Sequence, residues 1–215
     1  MPTIDTYKIR PKGKNLFLRV SRGHFATNHS HTNYYIDVTT QKSRLSEAQA
    51  VAEALVSYYS SSTVVDTILC LDGTAVIGAC LARELTRSGF TNMNAHETIY
   101  VVSPEHTTGS QLIFRDSTRP IIEGKNVLIL AASVTTGYTA RSAVEAVTYY
   151  GGRAVGICAV FATVDECCSI PVRSIFNPKD DLEDYASSPA LECPLCKKGR
   201  RIDALVNSYG FSKLI

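Results

Sequence analysis

A five-residue segment at positions 135–139, Thr-Thr-Gly-Tyr-Thr, has the composition of an anion-binding turn. It follows an apolar run at residues 127–130 that predicts a buried strand, and it leads into a predicted helix. Such a turn presents free backbone N–H groups and the positive end of the helix dipole, and both favour an anion. A plain strand-to-helix turn capped by threonines has the same pattern. The predicted phosphate site consists of Thr135, Thr136, Gly137, Tyr138 and Thr139.

The seven cysteines include one Cys-x-x-Cys pair, Cys193 and Cys196, in the sequence CPLCKKG. The Pro and Gly of this segment are typical of a metal knuckle, but a structural zinc site needs four ligands. Because no second ligand pair is recognisable, our first interpretation is a reduced, packed or redox-active pair, with Zn²⁺ as the alternative. The candidates for the missing ligands are one of Cys167 and Cys168, and His24, His29, His31, His96 or His106.

Three of these histidines lie close together in the polar segment GHFATNHSH at residues 23–31. The segment has the composition of a turn region between two β-prone runs. We interpret the three side chains as hydrogen-bonding or pocket-lining groups rather than as metal ligands.

Predicted strands and helices alternate between residues 64 and 164, which indicates a parallel sheet covered on both faces. Residues 15–40 are β-rich, and Ser46 and Gln49 have the spacing of a capping box at the start of the first long helix. After the second core strand, a long polar segment predicts a flap with a short hairpin. We expect one domain over residues 1–215: a hood at about 1–45, a core at about 46–170 and a tail with CPLC at about 171–215.

Composition and charge exclude several classes of protein. The net charge is +2 and the pI is about 8.1, so the balance does not indicate a nucleic-acid partner. The basic run CKKGRR at residues 196–201 is typical of a solvated surface. We find neither a signal peptide nor an apolar run of membrane-spanning length. We therefore expect a cytoplasmic protein without a membrane partner, in which the cysteines are reduced.

The segment at residues 127–139 resembles the signature of the type I phosphoribosyltransferases. This resemblance implies an α/β fold with a mostly parallel sheet of about five strands flanked by helices, and a small hood. It also implies that residues 135–139 bind the 5′-phosphate of phosphoribosyl pyrophosphate, that Mg²⁺ accompanies the diphosphate in catalysis, and that the protein is a homodimer. Asp72, Gly73 and Thr74, after the first core strand, match the position of the family's pyrophosphate loop.

The segment HFATNHSHTNYYIDV is similar to the N-terminal region of the orotate phosphoribosyltransferase branch. In that branch an aromatic pair lines the base site, and here the pair is Tyr34 and Tyr35. Arg141 matches an arginine that holds the pyrimidine. The resemblance therefore implies a pyrimidine-like base, with orotate as the reference substrate.

Two departures from the family pattern bear on activity. An acidic pair that binds the ribose hydroxyls in the family is replaced here by Ala131 and Ala132. Losing two charge-assisted hydrogen bonds costs about 3–6 kcal/mol of binding free energy. The sequence at residues 101–118 also contains no lysine to neutralise the departing diphosphate; its cations are Arg115 and, when protonated, His106. The sequence thus supports two hypotheses: a phosphoribosyltransferase, and a catalytically weak or inactive nucleotide- or phosphate-binding regulator.

Overall fold

The computed structural model of the chain describes residues 5–10, 16–87, 92–94, 98–108 and 111–214. The strands are β1 (Thr6–Ile9), β2 (Leu18–Ala26), β3 (His31–Asp37), β4 (Thr67–Cys70), β5 (Tyr100–Val102), β6 (Glu105–His106), β7 (Leu112–Ile113), β8 (Asn126–Val134), β9 (Arg153–Ala162), β10 (Glu166–Cys167), β11 (Ile170–Phe176), β12 (Ser187–Ser188), β13 (Ala204–Asn207) and β14 (Gly210–Lys213). The helices are α1 (Thr39–Ser43), α2 (Leu45–Val56), α3 (Ala75–Thr86), α4 (Tyr138–Tyr149), α5 (Pro178–Asp181) and α6 (Pro194–Lys197).

The central sheet contains five parallel strands in the order β11-β9-β8-β4-β5. The two-residue strand β10 pairs antiparallel with β11 at one edge. The predicted α/β class and the mostly parallel sheet of about five strands are therefore confirmed. The carboxyl ends of β4 and β8, which precede the turns at residues 72–74 and 135–139, are neighbours in this sheet.

Alternate side chains of β8 enter two different cores. Leu130 and Ala132 belong to a cluster that also contains the apolar side chains of α2 and α3. Ile129 and Ala131 belong to a second cluster with the apolar face of α4. This is the pattern expected for a strand buried on both faces, because successive side chains point to opposite sides of the sheet. Ala131 and Ala132 consequently have different surroundings although they are adjacent in sequence.

The hood is a second sheet of six strands, larger than the small hood that the sequence led us to expect. Its order is β12-β3-β2-β13-β14, and β1 pairs with the free part of β2. The strands β2 and β3 form an antiparallel pair with a bulge between Arg22 and Phe25. Strands β12 and β13 come from the C-terminal part of the chain and pair with β3 and β2, respectively. The hood sheet is thus built from the two ends of the sequence.

Two boundaries differ from the predictions. Strand β11 lies in the central sheet, so the core extends to residue 176, beyond the predicted start of the tail at residue 171. Helix α2 begins at Leu45 with Arg44 as its N-cap and has no side-chain cap, so the predicted capping box is wrong. The predicted end of the next helix at Gly89 lies outside the described residues.

Beyond β5 the chain forms the predicted short hairpin, in which β6 pairs antiparallel with β7. Within the described residues, every helix is too short or too polar to cross a lipid bilayer.

Candidate functional site

A cavity of about 280 Å³ lies where the hood sheet meets the ends of β4 and β8. We call it the ligand cavity. It is lined by Thr27, Asn28, His29, Thr32, Tyr34, Tyr35, Ile36, Val38, Thr39, Lys42, Asp72, Ala132, Ser133, Thr135, Thr136, Thr139, Tyr185, Val206, Asn207 and Ser208. The cavity therefore brings together the predicted phosphate site, the predicted pyrophosphate loop and the predicted aromatic pair.

The phosphate loop, residues 135–139, connects β8 to α4. Gly137 is the N-cap of α4 and has a φ of +77°, a left-handed conformation that favours glycine. The Thr163 hydroxyl donates a hydrogen bond of 2.7 Å to the Thr135 carbonyl and holds the start of the loop. Thr135, Thr136 and Thr139 line the ligand cavity, whereas Tyr138 is 60% exposed and lines an adjoining cavity. Because the first N–H groups of a helix have no intrahelical partner, the loop offers donors to an anion.

The two alanines that replace the acidic pair lie in different environments. Ala131 is buried in the core beneath α4, while Ala132 lines the cavity. The backbone N–H of Ala132 donates a hydrogen bond to the carboxylate of Asp72. Burial raises the pKa of Asp72, and Lys42, the Ala132 N–H and His106 offset part of this rise. The structure therefore provides one carboxylate, from another loop, beside the position where the acidic pair is missing.

Asp72 lies in a tight turn with an unusual backbone. Its φ is +54°, that of Gly73 is +77°, and the Thr74 N–H donates to the Leu71 carbonyl at 3.0 Å. A positive φ is costly for a residue with a β-carbon, and such strain is often found at functional sites. Thr74 is fully buried, and its hydroxyl donates to Leu71 and Leu130 carbonyls at 2.7 and 3.1 Å. Thr74 thus holds the turn, and Asp72 is the residue of this turn that lines the cavity.

Lys42, which is absent from the residues predicted from the sequence, supplies a positive charge to the cavity. Its Nζ donates to the Asp72 carbonyl at 2.9 Å and to the Ser208 carbonyl at 2.6 Å. Burial lowers the pKa of Lys42, and the carboxylates of Asp72 and Asp37 offset part of this decrease. Lys42 lies in the short helix α1 of the hood, where no motif marks it.

Aromatic side chains of the hood form another wall. The Tyr34 hydroxyl donates to Asp184 at 2.8 Å, so Tyr34 presents its ring rather than a free polar group. This ring stacks on the ring of Tyr185 with 6.4 Å between the ring centroids. The ring of Tyr35 packs edge-on against that of Phe211 with 5.1 Å between the centroids. Arg141 is not part of this wall, because its side chain is exposed and lies outside both cavities. Burial and the neighbouring Cys168 raise the pKa of Cys167, and the charge of Arg141 offsets part of this rise.

A second cavity of about 750 Å³ shares Asn28, His29, Asp72 and Thr139 with the first. Its other walls come from the flap hairpin, including His106, and from one face of α4. The His29 ring stacks on Tyr138 at 4.9 Å. Arg115, the arginine of the flap, is exposed and forms an ion pair with Glu105 at 2.6 Å.

Away from the cavities, His24, His31, Cys193 and Cys196 form a compact group that we call the Cys2His2 cluster. Of the three histidines at residues 23–31, only His29 lines a cavity. Burial raises the pKa of the Cys193 thiol, but backbone N–H groups of the Cys-x-x-Cys segment outweigh this effect and lower it overall. Among the other candidate ligands, Cys167 lies at the phosphate loop, 3.8 Å from the Gly137 carbonyl, and His96 is outside the described residues.

Comparison with known proteins gives a fold. No protein-family model matches the chain. Among solved structures, UMP synthase from Leishmania donovani is similar with a TM-score of 0.52 and 16% identity, over 74% of this chain and 33% of that one. Adenine phosphoribosyltransferase from Rhodothermus marinus has a TM-score of 0.50 and 16% identity, over 66% and 86% of the two chains. The enzyme of the same name from Thermoanaerobacter pseudethanolicus has a TM-score of 0.50 and 17% identity, over 67% and 88%. The chain therefore has the type I phosphoribosyltransferase fold.

Proposed function

We propose that the ligand cavity binds a 5′-phosphorylated ribose compound and that the chain transfers a phosphoribosyl group from phosphoribosyl pyrophosphate to a planar nitrogenous base. The observation that supports this proposal most strongly is that a single cavity is lined by the phosphate loop, by the Asp72 carboxylate and by the aromatic wall of Tyr34, Tyr35 and Tyr185. These three features correspond to the three chemical parts of a nucleotide: phosphate, sugar and base.

Asp72 is proposed to bind the ribose hydroxyls. It is the carboxylate that lines the cavity, and it accepts the N–H of Ala132, which stands in the family's acidic motif. A hydrogen bond to a charged group contributes roughly 1.5–3 kcal/mol. One carboxylate would therefore restore about half of the binding free energy that is lost when two alanines replace the acidic pair.

In the proposed reaction a ring nitrogen of the base forms a bond to the anomeric carbon with its lone pair, and the proton that this nitrogen carried is released to solvent. The bond from that carbon to the diphosphate oxygen breaks, and diphosphate leaves with the electron pair. Negative charge on the leaving group is stabilised by positive groups placed in advance. Lys42 lines the ligand cavity, so its charge is available for this role, and His106 lines the adjoining cavity, where its ring can donate an N–H.

Mg²⁺ is expected to accompany the diphosphate. The cavity offers oxygen donors, which suit this ion: the Asp72 carboxylate and the hydroxyls of Ser133 and the loop threonines. Mg²⁺ commonly keeps several water or phosphate ligands, so a single protein carboxylate is compatible with it. When bound, the ion would neutralise charge on the diphosphate.

The base is proposed to be a pyrimidine, with orotate or a related base as the first substrate to test. Because Arg141 lies outside both cavities, uncharged groups such as Asn28, Asn207 and the aromatic rings would recognise the base. Uracil and adenine therefore belong in the same assay. We further propose a homodimer, to be tested by light scattering, and a cytoplasmic location, in keeping with the seven free cysteines.

The second candidate function is a nucleotide-binding regulator without turnover. It is favoured by Ala131 and Ala132 and by the pairing of Arg115 with Glu105, which occupies the flap arginine. Both functions predict nucleotide binding, and they differ in turnover.

The test is to incubate the chain with phosphoribosyl pyrophosphate, Mg²⁺ and each base, and to measure base consumption together with nucleotide affinity by calorimetry. Thr136→Val is expected to weaken the binding of phosphorylated ligands about ten- to a hundred-fold, because it removes a hydroxyl donor to a charged group. The matched control is Thr148→Val, at an exposed position near the end of α4, the helix that follows the loop. Nucleotide binding without turnover would leave the regulator. Absence of binding at millimolar concentration would refute both functions.

A further inference from the structure

The four polar side chains of the Cys2His2 cluster converge on one point. His24 Nε2 lies 3.5 Å from Cys193 Sγ and 3.6 Å from Cys196 Sγ. His31 Nδ1 lies 3.3 Å from Cys196 Sγ and 3.2 Å from His24 Nε2. All four ligand atoms are within 4.8 Å of one another. Two imidazoles and two thiols thus direct their coordinating atoms into the same small volume.

We propose that these four side chains bind a structural Zn²⁺ ion. Zinc takes thiolate sulfur at about 2.3 Å and imidazole nitrogen at about 2.0–2.1 Å in a tetrahedron. The edges of such a tetrahedron are roughly 3.3–3.8 Å long, as follows from those bond lengths. The four separations given above, from 3.2 to 3.6 Å, are close to these edges, and the other two are at most 4.8 Å. Two sulfur and two nitrogen ligands in this geometry favour zinc over the oxygen-preferring Mg²⁺ and Ca²⁺.

The surroundings of His24 prepare it as a ligand. Its Nδ1 lies 2.9 Å from the Arg200 carbonyl and 3.1 Å from the Arg201 carbonyl, so Nδ1 carries the proton and donates it. Nε2 is then left with a lone pair that points into the cluster. A backbone carbonyl that fixes the tautomer of a histidine ligand is a common outer partner of zinc sites. The His24 side chain is fully buried, so its unprotonated nitrogen needs a partner inside the protein.

The two cysteines are presented by a single turn. Cys193 is the N-cap of α6, and its carbonyl accepts the Lys197 N–H at 3.1 Å. The Cys196 carbonyl accepts the Gly199 N–H at 2.9 Å, and Gly199 has a φ of +72°. This glycine lets the chain reverse directly after the second cysteine. The short spacing places both sulfur atoms on one side of the turn.

The ion would connect two parts of the chain that are distant in sequence. His24 and His31 belong to the β2–β3 pair, whereas the cysteines precede β13. Backbone contacts at the same place reinforce the connection: the His24 N–H donates to the Asp203 carboxylate at 2.7 Å, and the Asp203 N–H donates to the His24 carbonyl at 2.7 Å. With four protein ligands the ion has no open position, so its role is structural rather than catalytic.

The experiment measures metal in protein that carries no affinity tag. Elemental analysis is expected to find about one zinc per chain. Replacement by Co²⁺ is expected to give the visible absorption of a tetrahedral thiolate complex. Removal of the metal by a chelator should lower the melting temperature by roughly 5 °C or more, and zinc alone should restore it. Zinc-free protein with an unchanged melting temperature after zinc addition would overturn the proposal, as would loss of two of the seven thiols to a disulfide.

Single substitutions of ligands that are not fully buried test the assignment without disturbing the packing of the hydrophobic core. Cys196→Ser and His31→Ala affect side chains that are not fully buried, and each is expected to reduce the zinc content to a small fraction of wild type. Cys80→Ser and His29→Ala are the matched controls, because these residues lie outside the cluster, and both should retain zinc. If a ligand variant does not fold, its Co²⁺ spectrum cannot be read, and the chelator experiment on the wild-type chain decides. Equal zinc content in ligand and control variants would contradict the assignment.

Discussion

The ligand cavity and the Cys2His2 cluster both lie where the hood sheet meets other parts of the chain, but they differ in how their polar groups are arranged. In the cluster, four coordinating atoms lie within 4.8 Å and face one another. In the cavity, hydroxyls, a carboxylate and an ammonium group surround about 280 Å³ of open space. Converging ligands suit a small ion that stays bound, whereas separated donors around a space suit an organic ligand that enters and leaves.

We expect a change in the Cys2His2 cluster to affect the ligand cavity, but not the reverse. Strand β13 pairs with β2 next to His24, and the chain then supplies Asn207 and Ser208 to the cavity wall. Loss of the cluster should therefore release one wall of the cavity. The phosphate loop belongs to the central sheet and α4, so a change there should leave the cluster intact.

The largest effect is expected from breaking the cluster. Cys196→Ser should lower the free energy of unfolding by about 3 kcal/mol, which corresponds to roughly 6–12 °C in melting temperature for a chain of this size. Nucleotide affinity should fall with it, because Ser208 and Asn207 lose their anchor, whereas affinity for inorganic phosphate should change little. Thermal unfolding and calorimetry with both ligands test this. Equal losses for phosphate and nucleotide would show that the two sites are not connected in the way proposed.

A change in the phosphate loop should have the opposite pattern. Gly137→Val forces a β-branched residue into a φ of +77°, and the loop is expected to change shape. The free energy of phosphate binding should weaken by about 2–3 kcal/mol, roughly 30- to 150-fold in affinity, with zinc content unchanged. Gly124→Val is the control: it has a φ of +70° in a turn outside the cavity, so it should reduce stability but not affinity. Similar affinity loss in both variants would mean that the loop has no special role.

The same contrast explains what the sequence could and could not predict. The phosphate loop is contiguous, and its apolar strand, glycine and threonines form a local pattern that can be read directly. The cluster combines residues about 170 positions apart, of which only the Cys-x-x-Cys pair is recognisable in the sequence, so the local pattern favours polar or pocket-lining roles for its histidines. Lys42 lies in a five-residue helix without a motif, and only the packing of the hood brings it to Asp72.

Arg141 shows a different limit. Its distance from Gly137 matches the family pattern, but the helix begins at Tyr138, and Thr139 is the helical residue that lines the ligand cavity. Position 141 is two residues after Thr139, and two residues correspond to about 200° around the helix axis. Position 141 therefore faces away from that cavity. The sequence spacing places Arg141 on the correct helix, but which face of that helix points to the ligand depends on the residue at which the helix starts. For β11, the internal proline Pro171 weakens the strand signal, so the sequence predicts a core that ends too early.

A smaller effect is expected when Lys42 is replaced. Lys42→Met keeps much of the volume and removes the charge, so affinity for diphosphate should fall by about 1–2 kcal/mol, roughly ten-fold. In the wild type this affinity should decrease at alkaline pH, beginning below the usual range for lysine, because burial lowers the pKa of Lys42 and the charge is present only below it. The variant should lose this pH dependence. Lys179→Met, at an exposed ion pair with Asp165, is the control and should retain it.

The smallest effect is the change in stability expected when Asp72 is replaced, and it has the opposite sign to the change in binding. Burial raises the pKa of Asp72 in the folded chain above the unfolded value of about 3.9, so the folded state holds this proton more tightly. The stability of the wild type therefore decreases as the pH rises from the unfolded pKa through the folded pKa.

Asp72→Asn does not titrate, and at pH 7 it should be more stable than the wild type, by about 1 kcal/mol or less. The difference should disappear below the unfolded pKa. Asp116→Asn, at an exposed carboxylate, should show no such gain. At the same time, with Mg²⁺ left out of the titration, Asp72→Asn should weaken binding of ribose phosphates but not of inorganic phosphate, because the sugar uses the carboxylate and free phosphate does not. A gain in stability without a loss of sugar affinity would mean that Asp72 is merely strained, and the ribose hydroxyls would have to be bound elsewhere.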